Sequence, residues 1–265
     1  FVADGNTAYS IVTGAATSGD ANYSGLNASD VSVHNTDNDN AGIIVSPTSG
    51  LMTTETGSAA SFAVVLSSQP TADVLIGIAS GNTGEGTVSA PGVTFTAANW
   101  NTPQTITVTG VDDFVADGSV AYSIVTAAAA SADSTHNGLD ASDVAVTNTD
   151  NDAVGITVSP TSGLVTTEAG GTASFTVTLT SQPTANVMIG ISSSNTAEGT
   201  ASVAGLAFTP ANWNTPHTVT ITGVDDVVDD GNIAYAIITA AAVSADPGYS
   251  GRNASDVSVS NTDDD

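Results

Sequence analysis

The sequence predicts an all-β protein, a tandem array of immunoglobulin-like, seven-stranded β-sandwiches joined end to end, and three observations carry that expectation. The first is composition. Of 265 residues, 40% are hydrophobic, enough to fill cores. They are mostly Val, Ile and Ala in a background rich in Thr and Ser, which suits half-buried pleated strands better than helices. The second is alternation: short stretches such as Phe175, Val177 and Leu179 interleave with Thr and Ser at period two. The third is an internal repeat of domain length.

That repeat is exact in spacing. Phe1, Phe114 and Val227 stand 113 residues apart each time, as do Glu55 and Glu168, Trp100 and Trp213, and Asp150 and Asp263. The run VDDFVADGSVAYSIVTAAAASAD from Val111 returns as VDDVVDDGNIAYAIITAAAVSAD from Val224, and FVADGNTAYSIVTGAATSGD opens the chain. Such a period is too long for a solenoid turn and right for a whole domain. The turn-rich NTDND segments set the boundaries. Complete repeats are expected at 41–152 and 153–265, with 1–40 as the C-terminal part, the last two strands, of a preceding copy. Its missing strands are expected from upstream sequence or from another chain.

Within 153–265 the pattern gives seven strands: Gly155–Ser159, ended by Pro160; Thr172–Thr180; Asn186–Ser193; Thr200–Thr209; His217–Val224; Ile233–Thr239; and Asp256–Asn261. Seven short strands in a domain of this size point to the immunoglobulin-like sandwich. The AAAVSA stretch is too short to stand as a helix.

Charge narrows the function. There are 27 acids against a single base, Arg252, for a net charge of −26. A chain without cations has nothing to neutralise nucleic-acid phosphate or an anionic membrane surface, or to hold a phosphorylated substrate. With no cysteine, disulfides and thiolate metal sites are excluded, and no apolar run is long enough to span a membrane. All four Glu fall in two repeat columns. Clustered carboxylates without bases call for a hard divalent cation.

Strand parity places those acids. Successive loops of an antiparallel sandwich alternate between its ends, so the first, third and fifth loops share one pole with the exit of the last strand. In 153–265 these carry Glu168, then Glu198, then Asp225, Asp226, Asp229 and Asp230, and finally Asp263, Asp264 and Asp265. Repeat 41–152 offers Glu55, Glu85, Asp112, Asp113, Asp117, Asp150 and Asp152 in matching places, and the opening segment offers Asp4, Asp37 and Asp39. Like charges packed this closely destabilise a fold unless they are paired. Calcium, with six to eight oxygen ligands, suits carboxylates and loop carbonyls better than magnesium's tight octahedron.

These residues resemble the Calx-beta domain of sodium–calcium exchangers and of large bacterial surface proteins. The pieces that carry the resemblance are TTEAGGTASFTVTLTSQP, FTPANWNTPHTVTITGVDD and the terminal TDDD, and it covers essentially the whole repeat. The resemblance implies an immunoglobulin-like fold that binds more than one Ca²⁺. The ligands it implies are Glu168, Asp225, Asp226, a backbone carbonyl near Val228, Asp263 and Asp265. Asp230 followed by Gly231 stands where that family usually has Glu, and Glu198 where it usually has Asp.

Other signals carry less. DNDNAG at Asp37 opens like an EF-hand, but the twelfth position is Thr48, which lacks the bidentate carboxylate. Trp100 and Trp213 read as hydrophobic plugs rather than sugar platforms. Tyr122 and Tyr235 read as core residues whose hydroxyls reach backbone. His34, His136 and His217 do not recur between copies and read as surface polar residues. Asp133 and Asp143, which do recur, either brace a neighbouring acidic pole or form turns. A Glu55/Glu85 pair among so many acids does not make a glycosidase, and no enzyme is expected.

The function expected from the sequence is therefore mechanical: a calcium-stabilised structural rod or filament segment of an extracellular or cell-surface, adhesin-like protein of bacterial type. Its partners would be calcium ions, neighbouring repeats and other copies in a filament. The rival is an adhesive module for polysaccharide or another cell surface, which a row of exposed Thr or aromatics on one face would support.

Overall fold

The structure, a computed structural model, describes residues 1–265 and contains strands without a single helix. The chain is all-β, as its alternation predicts. It divides into two compact units, residues 1–112 with 120–149, and residues 113–119 with 150–265.

In the first unit, β1 (Thr7–Ile11) and β2 (Val31–Asn35) form a two-stranded antiparallel ladder. The sandwich comprises β3 (Ile43–Ser46), β4 (Leu51–Thr54), β5 (Ala59–Leu66), β6 (Val74–Ser80), β7 (Gly86–Val88), β8 (Gly92–Phe95), β9 (Gln104–Gly110), β10 (Val120–Thr126), β11 (Ala130–Ser131) and β12 (Val144–Thr149). One sheet runs β3-β5-β9-β7. The other runs β11-β6-β10-β12-β4, with β8 also on β6. Phe62, Val64, Ile76, Phe95, Ile106 and Ile124 lie among the buried side chains between them.

The second unit repeats the plan with β13 (Ile156–Ser159), β14 (Leu164–Thr167), β15 (Thr172–Leu179), β16 (Val187–Ser193), β17 (Gly199–Ala201), β18 (Gly205–Phe208), β19 (His217–Gly223), β20 (Ile233–Thr239), β21 (Val243–Ser244) and β22 (Val257–Thr262). The sheets are β13-β15-β19-β17 and β14-β22-β20-β16-β18, with β21 also on β16. Apolar residues alternate inward from every long strand, so Phe175 and Val177 of β15 meet Ile189 of β16, Phe208 of β18 and Ile237 of β20 in one core.

The chain changes sheets at two places, after the first predicted strand, where a loop is expected, and within the predicted strand 200–209. The first strand ends at Ser159, and after Pro160, which cannot donate to a ladder, the chain resumes as β14. That strand crosses over to pair parallel with β22. The predicted strand 200–209 is really β17 on β19 and β18 on β16. The switch is sharp: the Ser202 amide bonds to Thr220 in one sheet, while the Ala204 carbonyl accepts from Ile191 in the other. Alternation tells which side a residue faces but not which sheet its backbone joins. Both changes carry a glutamate-bearing segment to the same end of the sandwich.

Tyr122 and Tyr235 are core residues, but the Tyr235 hydroxyl meets the Thr166 side chain at 3.1 Å instead of backbone. A Cβ on Gly199 would overlap that hydroxyl, so the strand needs glycine there.

Candidate metal centre

The second unit brings eight side chains into three carboxylate groups. Glu168 lies with Asp225 and Asp264, and again with Asp263 and Asp265; Glu198 lies with Asp226 and Asp230. Within each group the oxygens lie within 4.8 Å of one another, so one cation can touch all three. Oxygens on opposite sides of a shared calcium, each at about 2.4 Å, are separated by a comparable distance.

Each acid is held by a different element. Glu168 follows β14, and its amide donates to Thr262 of β22 at 3.0 Å. Glu198 precedes β17, and its carbonyl accepts from Val224 at the exit of β19 at 3.0 Å. Asp263 continues β22 and takes two amides, that of Gly231 at 2.6 Å and that of Asp265 at 3.1 Å. Gly231 has φ of 73°, a left-handed conformation that favours glycine, and this turns the 225–230 loop back toward Asp263. Asp37 and Asp150 make the same pair of bonds, to Gly5 and Asp39 and to Gly118 and Asp152. The motif thus recurs in all three copies.

Glu168 is the most constrained of these acids. It is only 3% exposed, and its Oε2 is buried with no hydrogen-bond donor. Burial pushes its carboxyl above the ordinary range; Asp263, Asp226 and Glu198 add to the shift, against a bond from the Asp264 amide. The Asp265 carboxyl is also pushed up, first by burial and then by Asp225, Asp263 and Asp264. Asp263 is pulled down by the amides of Asp265 and Gly231. An orphaned buried oxygen in a nest of mutually repelling carboxylates fits a divalent cation, whose charge offsets the repulsion.

Two residues of this arrangement lie outside the ligands that the resemblance implies. Asp264 was absent from the implied ligand set, yet its carboxylate groups with Glu168. Asn261, fully buried, is the strut: its Nδ2 donates to Glu198 Oε2 at 3.4 Å and to the Val224 carbonyl at 3.1 Å. Its Oδ1 accepts from Thr166 at 2.9 Å. The signal was present, since Asn35, Asn148 and Asn261 each precede Thr-Asp at the 113-residue spacing.

The remaining predicted acids are placed as follows. In the first unit Glu55 and Glu85 are buried and Asp112 is exposed. Glu85 Oε2 accepts from Asn148 at 3.2 Å, the counterpart of the Asn261 bond. Asp37 and Asp39 line a cleft of about 550 Å³ together with Asp4, Thr71 and Asp133. In the second unit Asp113 accepts from Val115 at 2.7 Å. Burial pushes Asp117 up, with Asp113 and Asp150 adding to the effect.

Asp133 and Asp143 are each bonded within their own repeat, and Asp133 also lines the cleft with Asp4, Asp37 and Asp39. Asp133 accepts from the Thr71 amide at 2.8 Å and from Thr135, and Asp143 from the Thr126 amide at 2.9 Å. His136, expected at the surface, is 0% exposed. Its Nδ1 lies 3.1 Å from Asp133 and its Nε2 3.4 Å from Ser68. Tyr249 occupies the equivalent place in the next copy, where its hydroxyl donates to the Ser181 carbonyl at 2.6 Å. Either ring tips a polar group at the same turn, which explains how the position accepts both. Ser68 is itself fully buried, so this Ser–His–Asp order offers no exposed nucleophile.

The tryptophans pack partly against the cores, and each also meets a phenylalanine. Phe1 lies 6.1 Å from Trp100 in the first unit, and Phe114 lies 5.8 Å from Trp213 in the second. Backbone bonds seat both phenylalanines: Gln69 donates to the Phe1 carbonyl at 2.7 Å and Gln182 to the Phe114 carbonyl at 2.6 Å.

No protein-family model and no curated protein matches the chain. Among solved structures it is similar to CBD12 from CALX1.2, at 13% identity over 78% of this chain and 82% of that one, with a TM-score of 0.34. It is similar to the calcium binding domain CBD12 of CALX1.1, at 16% identity over 76% and 80%, TM-score 0.32. It is also similar to domains 4 and 5 of the S-layer protein SbsC, at 17% identity over 71% and 77%, TM-score 0.32.

Proposed function

We propose that the chain is a calcium-stabilised structural segment, part of a rod or filament of an extracellular surface protein, and that it does no chemistry. Repeats 41–152 and 153–265, with 1–40 as the end of a preceding copy, are its units. The observation that carries this reading is the buried, donorless Oε2 of Glu168, grouped with carboxylates from the loop after β19 and the end of β22. A cation there would join the start of β15, the loop after β19 and the end of β22, and one at Glu198 would join the loop before β17 to the loop after β19. Each would act as a cross-link of the folded state alone. Glu168, Asp225, Asp263, Asp264 and Asp265 would hold one part of the cluster, and Glu198, Asp226 and Asp230 another. In repeat 41–152 the ligands proposed are Glu55, Glu85, Asp112, Asp113, Asp117, Asp150 and Asp152, and in the opening segment Asp37 and Asp39.

Thermal melting with calcium and with excess chelator tests the reading. A ligand that binds only the folded state adds about 2.7 kcal/mol per site at a hundredfold excess over Kd, so the melting temperature should climb with calcium and fall on chelation. A curve unmoved by exhaustive chelation rejects it.

One observation favours the adhesive reading. Thr218, Thr220 and Thr222 face outward on β19, and Thr105, Thr107 and Thr109 do so on β9. The row does not extend equally to the neighbouring strands: Thr172, Ser174 and Thr176 on β15 are matched by Ala59, Ser61 and Ala63 on β5. Glycan-array binding lost on Thr220→Lys would establish this second reading; no binding leaves the structural one.

A further inference from the structure

Phe1 and Phe114 are the first two members of a column whose third member is Val227, and the third is the exception. Phe1 is seated against Trp100, and Phe114 against Trp213, with the Gln69 and Gln182 amides on their carbonyls. Exposure does not separate the three, since Phe1 is 84%, Phe114 54% and Val227 89% exposed; the difference is that each phenylalanine has a tryptophan ring and a glutamine amide, while Val228 beside Val227 is 54% exposed. The equivalents of Val228, Val2 and Val115, are partly covered. Val115 lines a cavity of about 260 Å³ with Val154, Gln182, Pro247 and Tyr249.

The receiving surface has the same construction in both units. A tryptophan turn offers a ring, and a Gln-Pro turn offers the backbone amide that takes the phenylalanine carbonyl. The glutamine side chain pins the second turn to the first, through Ala97 in one unit at 2.8 Å and Pro210 in the other at 2.7 Å. The tryptophan ring and the glutamine amide are themselves uncharged, with Asp246 beside them tied to the Thr184 amide at 2.8 Å; the tip they would receive is apolar, Val227 and Val228 sitting between Asp225, Asp226 and Asp229, Asp230.

We infer that Val227–Val228 is a docking tip for a further sandwich of this repeat type, joined in the same 113-residue register after Asp265, with a tryptophan turn and a Gln-Pro turn as its receptor. A second copy of this chain is the wrong occupant, because its Trp100 and Trp213 are already faced by Phe1 and Phe114. Valine offers less area than phenylalanine and no ring for the indole, so this docking is weaker than the two that precede it. The inference rests on the tandem-repeat reading.

The test extends the full chain by one copy of residues 153–265 placed directly after Asp265, in saturating calcium chloride. The Val227 methyl resonances should move upfield under the ring current of the added tryptophan and show cross-relaxation with its indole. Val227→Phe should raise the melting temperature of the extended chain, and Val227→Ser should lower it. The same two variants should leave the original chain unchanged, since Val227 touches little there. Coincident Val227 methyl signals in the two chains overturn the inference. So does a dimer of the original chain that Val227→Ser dissolves, because it assigns the tip to a second copy. Failure of the calcium reading would show separately, as melting of the original chain indifferent to chelator.

Discussion

The ring of Phe114 lies 5.8 Å from that of Trp213 at an interplanar angle of 43°, although 99 residues separate them in the chain. The phenylalanine leaves a loop rich in aspartate, and the Gln182 amide holds its carbonyl at 2.6 Å. Aromatic pairs in this tilted arrangement contribute about 1 kcal/mol beyond the area they bury. Phe114→Ala should therefore destabilise the second unit by about that amount and shift Trp213 emission to longer wavelength. Emission and melting of Phe114→Ala beside wild type check both.

Glu168 should dominate the response to calcium. It belongs to two of the three carboxylate groups, whereas Asp226 belongs to one. Glu168→Gln removes a charge but keeps the shape, and should weaken calcium binding more than Asp226→Asn does. Without metal the same substitution should stabilise the protein, because it relieves a buried carboxylate crowded by others. Asp73→Asn should do nothing, since Asn186 fills that place in the next copy. Calorimetric titration of the three variants, with melting in chelator, gives the ranking and the change of sign.

The repeat, the strand content and the acid columns were legible because each is a local or periodic property. Val219 and Ile221 alternate with threonine, and Glu55 returns as Glu168 without an alignment gap. Less legible was whatever depends on backbone pairing. Nothing in the alternation of Leu164–Thr167 says that it joins β22 across the sandwich. Phe114 lies in a loop and is half exposed, and nothing local says that Trp213 stands beside it. His136 looked like surface because it does not recur, yet the turn it fills needs only a polar tip and accepts Tyr249 equally well. Asn261 recurs in plain view, but its role as a strut requires Glu198, Val224 and Thr166 to be neighbours.

Acid should reach the loop preceding β12 through Asp133. Burial raises its carboxyl, but the bonds from the Thr71 amide, the Thr135 hydroxyl and amide, and His136 outweigh this and hold it well below the ordinary value of 3.8. A carboxylate whose folded pKa is depressed contributes stability that is present above the unfolded value and lost as pH falls toward the folded one. Asp133→Asn should thus cost about 2 kcal/mol near neutrality, and the gap from wild type should narrow below pH 3.8. Denaturant unfolding of both proteins across that range measures it. A gap of constant size would mean that the charge of Asp133 contributes nothing.

Asn261 separates support of the acidic cluster from membership in it. It carries no charge and belongs to none of the carboxylate groups, but its amide fixes Glu198 and the Val224 carbonyl while its oxygen takes Thr166. Asn261→Asp keeps the size and the acceptor, removes the donor, and places another anion beside Glu198. Repulsion then turns Glu198 away from Asp226 and Asp230. Asn261→Ala takes the donor from Glu198 and the Val224 carbonyl, while Thr166 keeps Tyr235, at a cost of about 1–3 kcal/mol for the unsatisfied groups. Both variants should lose stability in chelator, Asn261→Asp more than Asn261→Ala. In calcium the order should reverse, because a cation near Glu198 offsets the added charge while nothing replaces the missing amide. Melting of the two variants with and without calcium decides between this and a purely steric role, in which the larger truncation would be the worse under both conditions.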